Sequence, residues 1–169
     1  PFACTFCDWG SSIQSKVIRF DMERIQQEIE WFAQHRLDTI FGCDANFGIL
    51  PRDIEIAEYM ARVKRQTGYP LQVGIQGTKN ATERAFKVYQ ILYQAGLNTE
   101  VTLSLQSMNP QVLQHIRREN ISVETYLELQ HRFSRMGIST YTDMILGLPG
   151  ETYDSFADGL AQMIEYGQH

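Results

Sequence analysis

Cys4 and Cys7 stand three apart in the stretch Cys4-Thr5-Phe6-Cys7. Two thiols at this spacing suit zinc, a redox disulfide or an iron–sulfur cluster. A structural zinc site asks for four ligands, usually as two such pairs. The remaining cysteine, Cys43, has no neighbouring partner, and His35, His115, His131 and His169 are scattered over helical stretches or lie at the end. A thioredoxin-like site sits between a strand and a helix, and no strand precedes the motif in this sequence. An iron–sulfur cluster asks for a third thiolate. A cysteine ahead of Pro1 would complete Cys-Pro-Phe-Ala-Cys-Thr-Phe-Cys, which places three thiolates on three irons of a [4Fe–4S] cube and leaves the fourth iron open. The chain opens on proline rather than methionine, so a piece of a longer protein is expected.

Polar residues gather at four further places. "CDANFG" begins at Cys43, "QGTKN" at Gln76, "QSMN" at Gln106 and "GLPGET" at Gly147. Each mixes carboxylates, amides, hydroxyls or glycines. Turn chemistry alone accounts for any one of them. Each also follows a predicted strand, and in parallel βα folds ligands bind past the carboxyl ends of strands.

The elements that must carry these loops alternate. Short apolar or β-branched runs begin at Leu37, Leu71, Thr99 and Ser139 and read as buried strands. Helical periodicity fills the intervals. Met22, Ile25, Ile29 and Phe32 share one face behind a candidate N-cap, Asp21. Pro51 opens the next helix. Asn80 and Glu83 form a loose capping-box analogue that leads to a stop at Gly96. Tyr126, Leu129, Phe133 and Met136 line a fourth helix that ends at Gly137, and a last one begins near Asp154. Strand–helix alternation predicts an α/β fold of parallel (βα) repeats with right-handed crossovers.

Composition narrows the class. A chain of 169 residues with 43% hydrophobic content holds one core. A net charge of −5 disfavours a nucleic-acid surface. The cationic run "RVKRQ" at 62–66 reads as a solvated helix face. No apolar run has the length of a membrane span, no signal peptide is visible, and three cysteines do not make a disulfide scaffold. A cytoplasmic setting without membrane or nucleic-acid partners is expected.

With its motifs assembled, the sequence resembles the radical S-adenosylmethionine (SAM) superfamily. Phe6 holds the aromatic place before the last cysteine of that family's cluster motif. "SLQSMNPQVLQHIRREN" is similar to the fourth-strand region, and "MILGLPGET" to the fifth. "CDANFG" takes the place of the motif that receives the methionine amino group, in an Asp/Asn-Phe form that looks most like cobalamin-binding members. The resemblance implies part of a (βα)6 partial TIM barrel. Residues 1–169 would be one core fragment holding the cluster loop and about four βα units, with the first strand and the last unit outside it.

The resemblance implies cofactors and roles as well. The core would bind a [4Fe–4S] cluster through Cys4 and Cys7 and reductively cleave SAM to a 5′-deoxyadenosyl radical, for cobalamin-dependent methyl transfer. Phe6 would lie near the adenine, and Asp44 and Asn46 at the methionine amino group. Ser104 and Gln106, on one strand face, would reach ribose hydroxyls or the carboxylate. Arg118 would grip that carboxylate, and Gly147 would let the adenine approach. An electron donor such as flavodoxin or ferredoxin is implied. No residue is assigned to the chemistry on the substrate, which the sequence does not identify. A methylthiotransferase and a non-catalytic zinc or redox βα domain are the alternatives. Simpler roles compete residue by residue: Arg117 or Arg118 as a solvated charge, Glu151 as a helix cap, Cys43 as a small buried hydrophobe, and Trp9, Trp31, Tyr89 and Tyr93 as core.

Overall fold

The computed structural model describes residues 4–7, 17–78 and 83–167. Helix and strand alternate: α1 (Met22–Gln34), β1 (Thr39–Phe41), α2 (Arg52–Thr67), β2 (Gln72–Gly74), α3 (Glu83–Gln94), β3 (Glu100–Thr102), α4 (Pro110–His115), α5 (Val123–Arg135), β4 (Ser139–Tyr141) and α6 (Tyr153–Glu165). β1 pairs with β2 in parallel, Ile40 opposite Val73, and β3 pairs with β4. The four strands lie where the apolar runs predicted them.

The chain divides into two compact units. One holds α1 to α3 (Arg19–Val101 with Met136–Ser139); the other holds α4 to α6 (Pro1–Ile18, Thr102–Arg135 and Thr140–His169). In the α1–α3 unit, Ile29 and Ala33 from α1, Ile56, Ala57 and Val63 from α2, and Val88 and Leu92 from α3 close a core around Val73 of β2. Helical spacing of these residues buries one face of each helix and leaves most charged positions in water, Asp53 of α2 excepted. In the α4–α6 unit, Val112, Ile116 and Leu148 form a smaller cluster with Leu113 and Ile145. Tyr126, Leu129 and Phe133 of α5 are buried, as their spacing predicted.

Helix ends follow the chain's local chemistry, with corrections. Asp21 stands at the N-cap of α1 but makes no side-chain cap bond. α6 begins at Tyr153, beside the Asp154 where the sequence placed its start, and Thr152 caps it: its hydroxyl accepts from Ser155 N–H while the Ser155 hydroxyl accepts from Thr152 N–H. Asn80 of the expected capping pair lies outside the described residues, as do Lys79 and Trp9. Trp31 is no core residue. It is 51% exposed and stacks on His35 at 4.0 Å, because it lies off the Ile25–Ile29–Ala33 stripe of α1. Tyr89 is buried and Tyr93 half-buried. Cys43 is exposed, against the expectation of burial. It falls in the loop just past the β1–β2 pair.

Candidate functional site

In the α1–α3 unit the loop after β1 is built by one carboxylate. Asp53, in the first turn of α2, is 2% exposed. Its Oδ2 accepts from Gly48 N–H at 2.9 Å and Leu50 N–H at 2.8 Å. Burial raises the Asp53 pKa above the ordinary aspartate value, against the two amide bonds that lower it; the charge of Asp44 also raises it. The loop then leans on β2: Phe47 N–H donates to Gln76 O, Thr78 N–H to Phe47 O, and Phe47 bridges Gly77 in parallel. Gly48 has φ +95°, and a Cβ there would meet Ala85 Cα at 3.0 Å. Only glycine permits both that backbone and that approach. The framework presents Asp44 and Asn46 in a single turn, in which Asp44 Oδ1 accepts from Asn46 N–H at 2.8 Å. Asp44 is exposed and Asn46 half-buried.

In the α4–α6 unit the cysteine stretch is a turn. Cys7 N–H reaches Cys4 O at 3.4 Å, and Thr5 N–H donates to Ile116 O at 3.0 Å. Cys4 is buried, Cys7 half-buried, and neither is in a disulfide. Phe6 between them is exposed. The turn is thus tied to the end of α4, whose termination decides which arginine enters. Arg117 takes the left-handed position after the Ile116 cap, φ +52°, and Arg118 N–H returns to Leu113 O while Arg117 N–H returns to Gln114 O. This is the Schellman ending that glycine usually supplies. Arg117 stays exposed and Arg118 goes in, 7% exposed. Its Nε donates to Asn120 Oδ1 at 2.6 Å and its Nη2 to the Ser104 carbonyl. Burial lowers the Arg118 pKa, opposed by the charge and hydrogen bond of Cys4.

Past β3 the chain carries the remaining candidates. Leu103 N–H donates to Tyr141 O and Gln106 N–H to Asp143 O, while Ile145 N–H returns to Gln106 O. Ser104 Oγ donates to Asp143 Oδ2 at 2.6 Å. Gln106 is buried with φ +69°, a backbone state that costs a non-glycine residue about 1–3 kcal/mol and clusters at functional sites. That left-handed residue ends the alternation that would have set Ser104 and Gln106 on one strand face: Leu103, Leu105 and Gln106 are all buried and Ser104 is half-buried.

The loop after β4 turns through Gly147 and Gly150, with φ +84° and +83°. Gly147 has open space where a Cβ would stand, while at Gly150 a Cβ would meet His115 Nδ1 at 2.6 Å. Glu151 braces this loop: Oε2 accepts from Ser107 Oγ at 2.8 Å and Oε1 from Ser155 Oγ at 2.5 Å.

The structure therefore gathers Cys4, Cys7, Ser104 and Arg118 in one unit, with Gln106 and Gly147 on its strand-end loops, and pairs Asp44 with Asn46 in the other. Four supporting residues escaped the sequence reading. Asp143 had a signal, a carboxylate at the end of a predicted strand. Asp53 had a weaker one, an acid in a first helical turn. Asn120 and Ser107 had none, because their roles depend on what folding brings beside them.

The profile of the Radical SAM superfamily matches residues 1–162. The chain belongs to the radical SAM superfamily. Over all 169 residues it is 46% identical to the cobalamin-dependent radical SAM methyltransferase TokK of Streptomyces tokunonensis, covering 25% of that protein. It is 47% identical, again over its whole length and 25% of the relative, to the 2-(S-pantetheinyl)-carbapenam-3-carboxylate methyltransferase of Streptantibioticus cattleyicolor. The chain thus spans about a quarter of the length of the curated relatives it matches. Its fold is that of the radical SAM methyltransferase TsrM from Kitasatospora setae, solved with tryptophan and a SAM analogue. The TM-score is 0.80 at 15% identity, over 99% of this chain and 32% of that one. No helix among the described residues is long and apolar enough to cross a membrane.

Proposed function

We propose that this chain is the cluster- and SAM-binding core of a cobalamin-dependent radical SAM methyltransferase. The observation that carries the reading is the Cys4–Cys7 turn: two thiols in one turn, neither in a disulfide, the first of them buried. The residues present fit two of the three thiolate ligands, and the third would precede Pro1. Zinc fits less well, since the described residues include no group of three or more His, Cys, Asp and Glu placed to hold a metal ion. When bound, the cluster supplies the electron that splits the sulfonium of SAM into methionine and a 5′-deoxyadenosyl radical, and cobalamin supplies the methyl carrier.

The chain's own residues would bind and orient. Asp44 and Asn46 offer a carboxylate and an amide oxygen to the methionine ammonium. Ser104, held by Asp143, presents a hydroxyl to the ribose or the carboxylate. The Gln106 side chain would lie beside it, Phe6 would pack against the adenine, and the open face of Gly147 would admit that ring edge-on. A one-electron donor such as flavodoxin or ferredoxin would reduce the cluster. The subclass rests on the 46–47% identity across the whole chain, and the second relative's name supplies the first methyl acceptor to offer, a carbapenam carboxylate bearing a pantetheinyl thioether.

The test uses the full-length protein purified without air. It should retain about four irons and four sulfides per chain, bind one hydroxocobalamin, and methylate the carbapenam at the expense of SAM. Cys4→Ala and Cys7→Ala should each abolish the brown chromophore. Stoichiometric zinc without sulfide refutes the cluster. A loaded cluster that yields 5′-deoxyadenosine but retains no corrin refutes the subclass and leaves the radical enzyme standing.

A further inference from the structure

Gln106 is a buried polar residue on a strained turn. It is 8% exposed, and no hydrogen bond joins its side-chain amide to another of the described residues. Its backbone is left-handed, φ +69°, and Ser107 N–H donates across it to Leu105 O at 2.9 Å. A bond spanning two residues over such a φ is the strained form of the γ-turn. A buried amide left unpaired by folding calls for a partner. A strained residue persists only where its surroundings over-determine it.

Three sets of ties do so. The segment after β4 holds the Gln106 backbone: Gln106 N–H donates to Asp143 O and Ile145 N–H to Gln106 O, each at 2.8 Å. Ser107 is held by its hydroxyl, which donates to Glu151 Oε2 at 2.8 Å and accepts from Asn109 N–H at 3.1 Å. Asn120 bridges the turn itself. Its Nδ2 donates to Leu105 O at 2.7 Å and to Ser107 O at 3.4 Å, the two carbonyls that flank Gln106. Its Oδ1 accepts from Arg118 Nε at 2.6 Å. Arginine has only donors, so this bond fixes which end of the Asn120 amide faces the turn.

We propose that Asn120 is a positioning residue for Gln106: it clips the carbonyls on either side of the left-handed turn and so aims the Gln106 amide at SAM. The inference rests on the reading of Gln106 as a SAM-binding residue. A primary amide can donate to a carboxylate or hydroxyl oxygen and accept from a hydroxyl. Without the clip the backbone relaxes toward an ordinary φ and the amide leaves its line.

The experiment uses the full-length protein, purified anaerobically with its cluster loaded. Wild type is compared with Gln106→Ala, Asn120→Ala, Asn120→Asp and the double variant Asn120→Ala/Gln106→Ala. SAM affinity is measured by equilibrium binding on the cluster-loaded fraction, and iron is counted per chain. Gln106→Ala should weaken SAM binding about tenfold, and Asn120→Ala about threefold or more at wild-type iron content. Asn120→Asp keeps the acceptor for Arg118 but turns an oxygen toward two carbonyls, so it should bind SAM no better than Asn120→Ala. The double variant should match Gln106→Ala to within about twofold, because Asn120 acts through Gln106.

Gln106→Ala weakened with Asn120→Ala at wild-type affinity overturns the inference and leaves the SAM reading of Gln106 intact. Losses that multiply in the double variant overturn it too, as does wild-type affinity in Asn120→Asp, which would place the role of Asn120 at Arg118. Wild-type affinity in Gln106→Ala overturns the reading and the inference together. Should Asn120→Ala fail to fold, it is made in a Gln106→Gly background, where glycine holds the left-handed turn unaided. Recovery of folding there supports the clip, and failure there overturns it.

Discussion

Asp53→Ala tests the claim that one buried carboxylate shapes the loop carrying Asp44 and Asn46. The substitution strips the acceptor from two backbone N–H groups, Gly48 at 2.9 Å and Leu50 at 2.8 Å. Gly48 is buried and Leu50 half-buried, so water reaches the second more easily than the first. A buried donor left unsatisfied costs about 1–3 kcal/mol. With Leu50 at the low end, and with loss of an acid from the first turn of α2, the expected cost is about 2–4 kcal/mol. Asp53→Asn keeps an acceptor oxygen but buries two amide donors, and about 1–2 kcal/mol is expected. Urea unfolding reads the total, and amide hydrogen exchange at Gly48 and Leu50 reads its location. The pH dependence separates charge from shape. Burial raises the folded Asp53 pKa above its unfolded value, so the folded state holds a proton that the unfolded state has released. This contribution is full below the ordinary aspartate range and is lost as pH rises through the folded value. The slope in that window should vanish in Asp53→Asn. An Asp53→Ala protein within about 0.5 kcal/mol of wild type, with both amides still protected, would refute the reasoning.

The remaining predictions concern loop and cap positions. Gly150→Ala places a Cβ 2.6 Å from His115 Nδ1 at φ +83° and should cost more than the roughly 1–2 kcal/mol of left-handed strain alone, by thermal or urea unfolding. Gly147→Ala carries that strain without a clash, and should instead weaken SAM binding; equal affinity would remove Gly147 from the adenine site. Arg117→Gly relieves a left-handed arginine at a helix end and should stabilise the protein by up to about 1 kcal/mol while leaving iron content unchanged. A destabilised variant would show that the Arg117 side chain contributes more than its exposure suggests.

Features set by local chemistry were legible, and features set by meeting across the chain were not. The strands were readable because β-branched and apolar residues cluster in each, and the helices because one face repeats with helical period. The loops past β1, β3 and β4 stood out because polar residues crowd there. Within those loops the sequence could not rank neighbours. Arg117 and Arg118 are adjacent and chemically identical. What separates them is a left-handed residue after α4, normally a glycine position, which an arginine occupies here. Trp31 and Cys43 were misread for the opposite reason: their apolar character suggests burial, but burial depends on whether another layer reaches that face.

The same distinction bears on Arg118. As a residue type, an arginine a dozen positions past a strand offers a carboxylate grip. In the fold its edge meets Asn120, two residues on, because the chain turns back on itself after α4. Asn120 can serve only because its amide is held by carbonyls of the segment after β3. A side chain's chemistry is fixed by its type, but its function is set by which of its donors remain unspent once neighbours have been satisfied. For a guanidinium with five N–H groups, that remainder differs from site to site. Here Asn120 holds the Nε–H and the Ser104 carbonyl one N–H of Nη2, and the N–H groups that remain are what Arg118 has to offer a ligand.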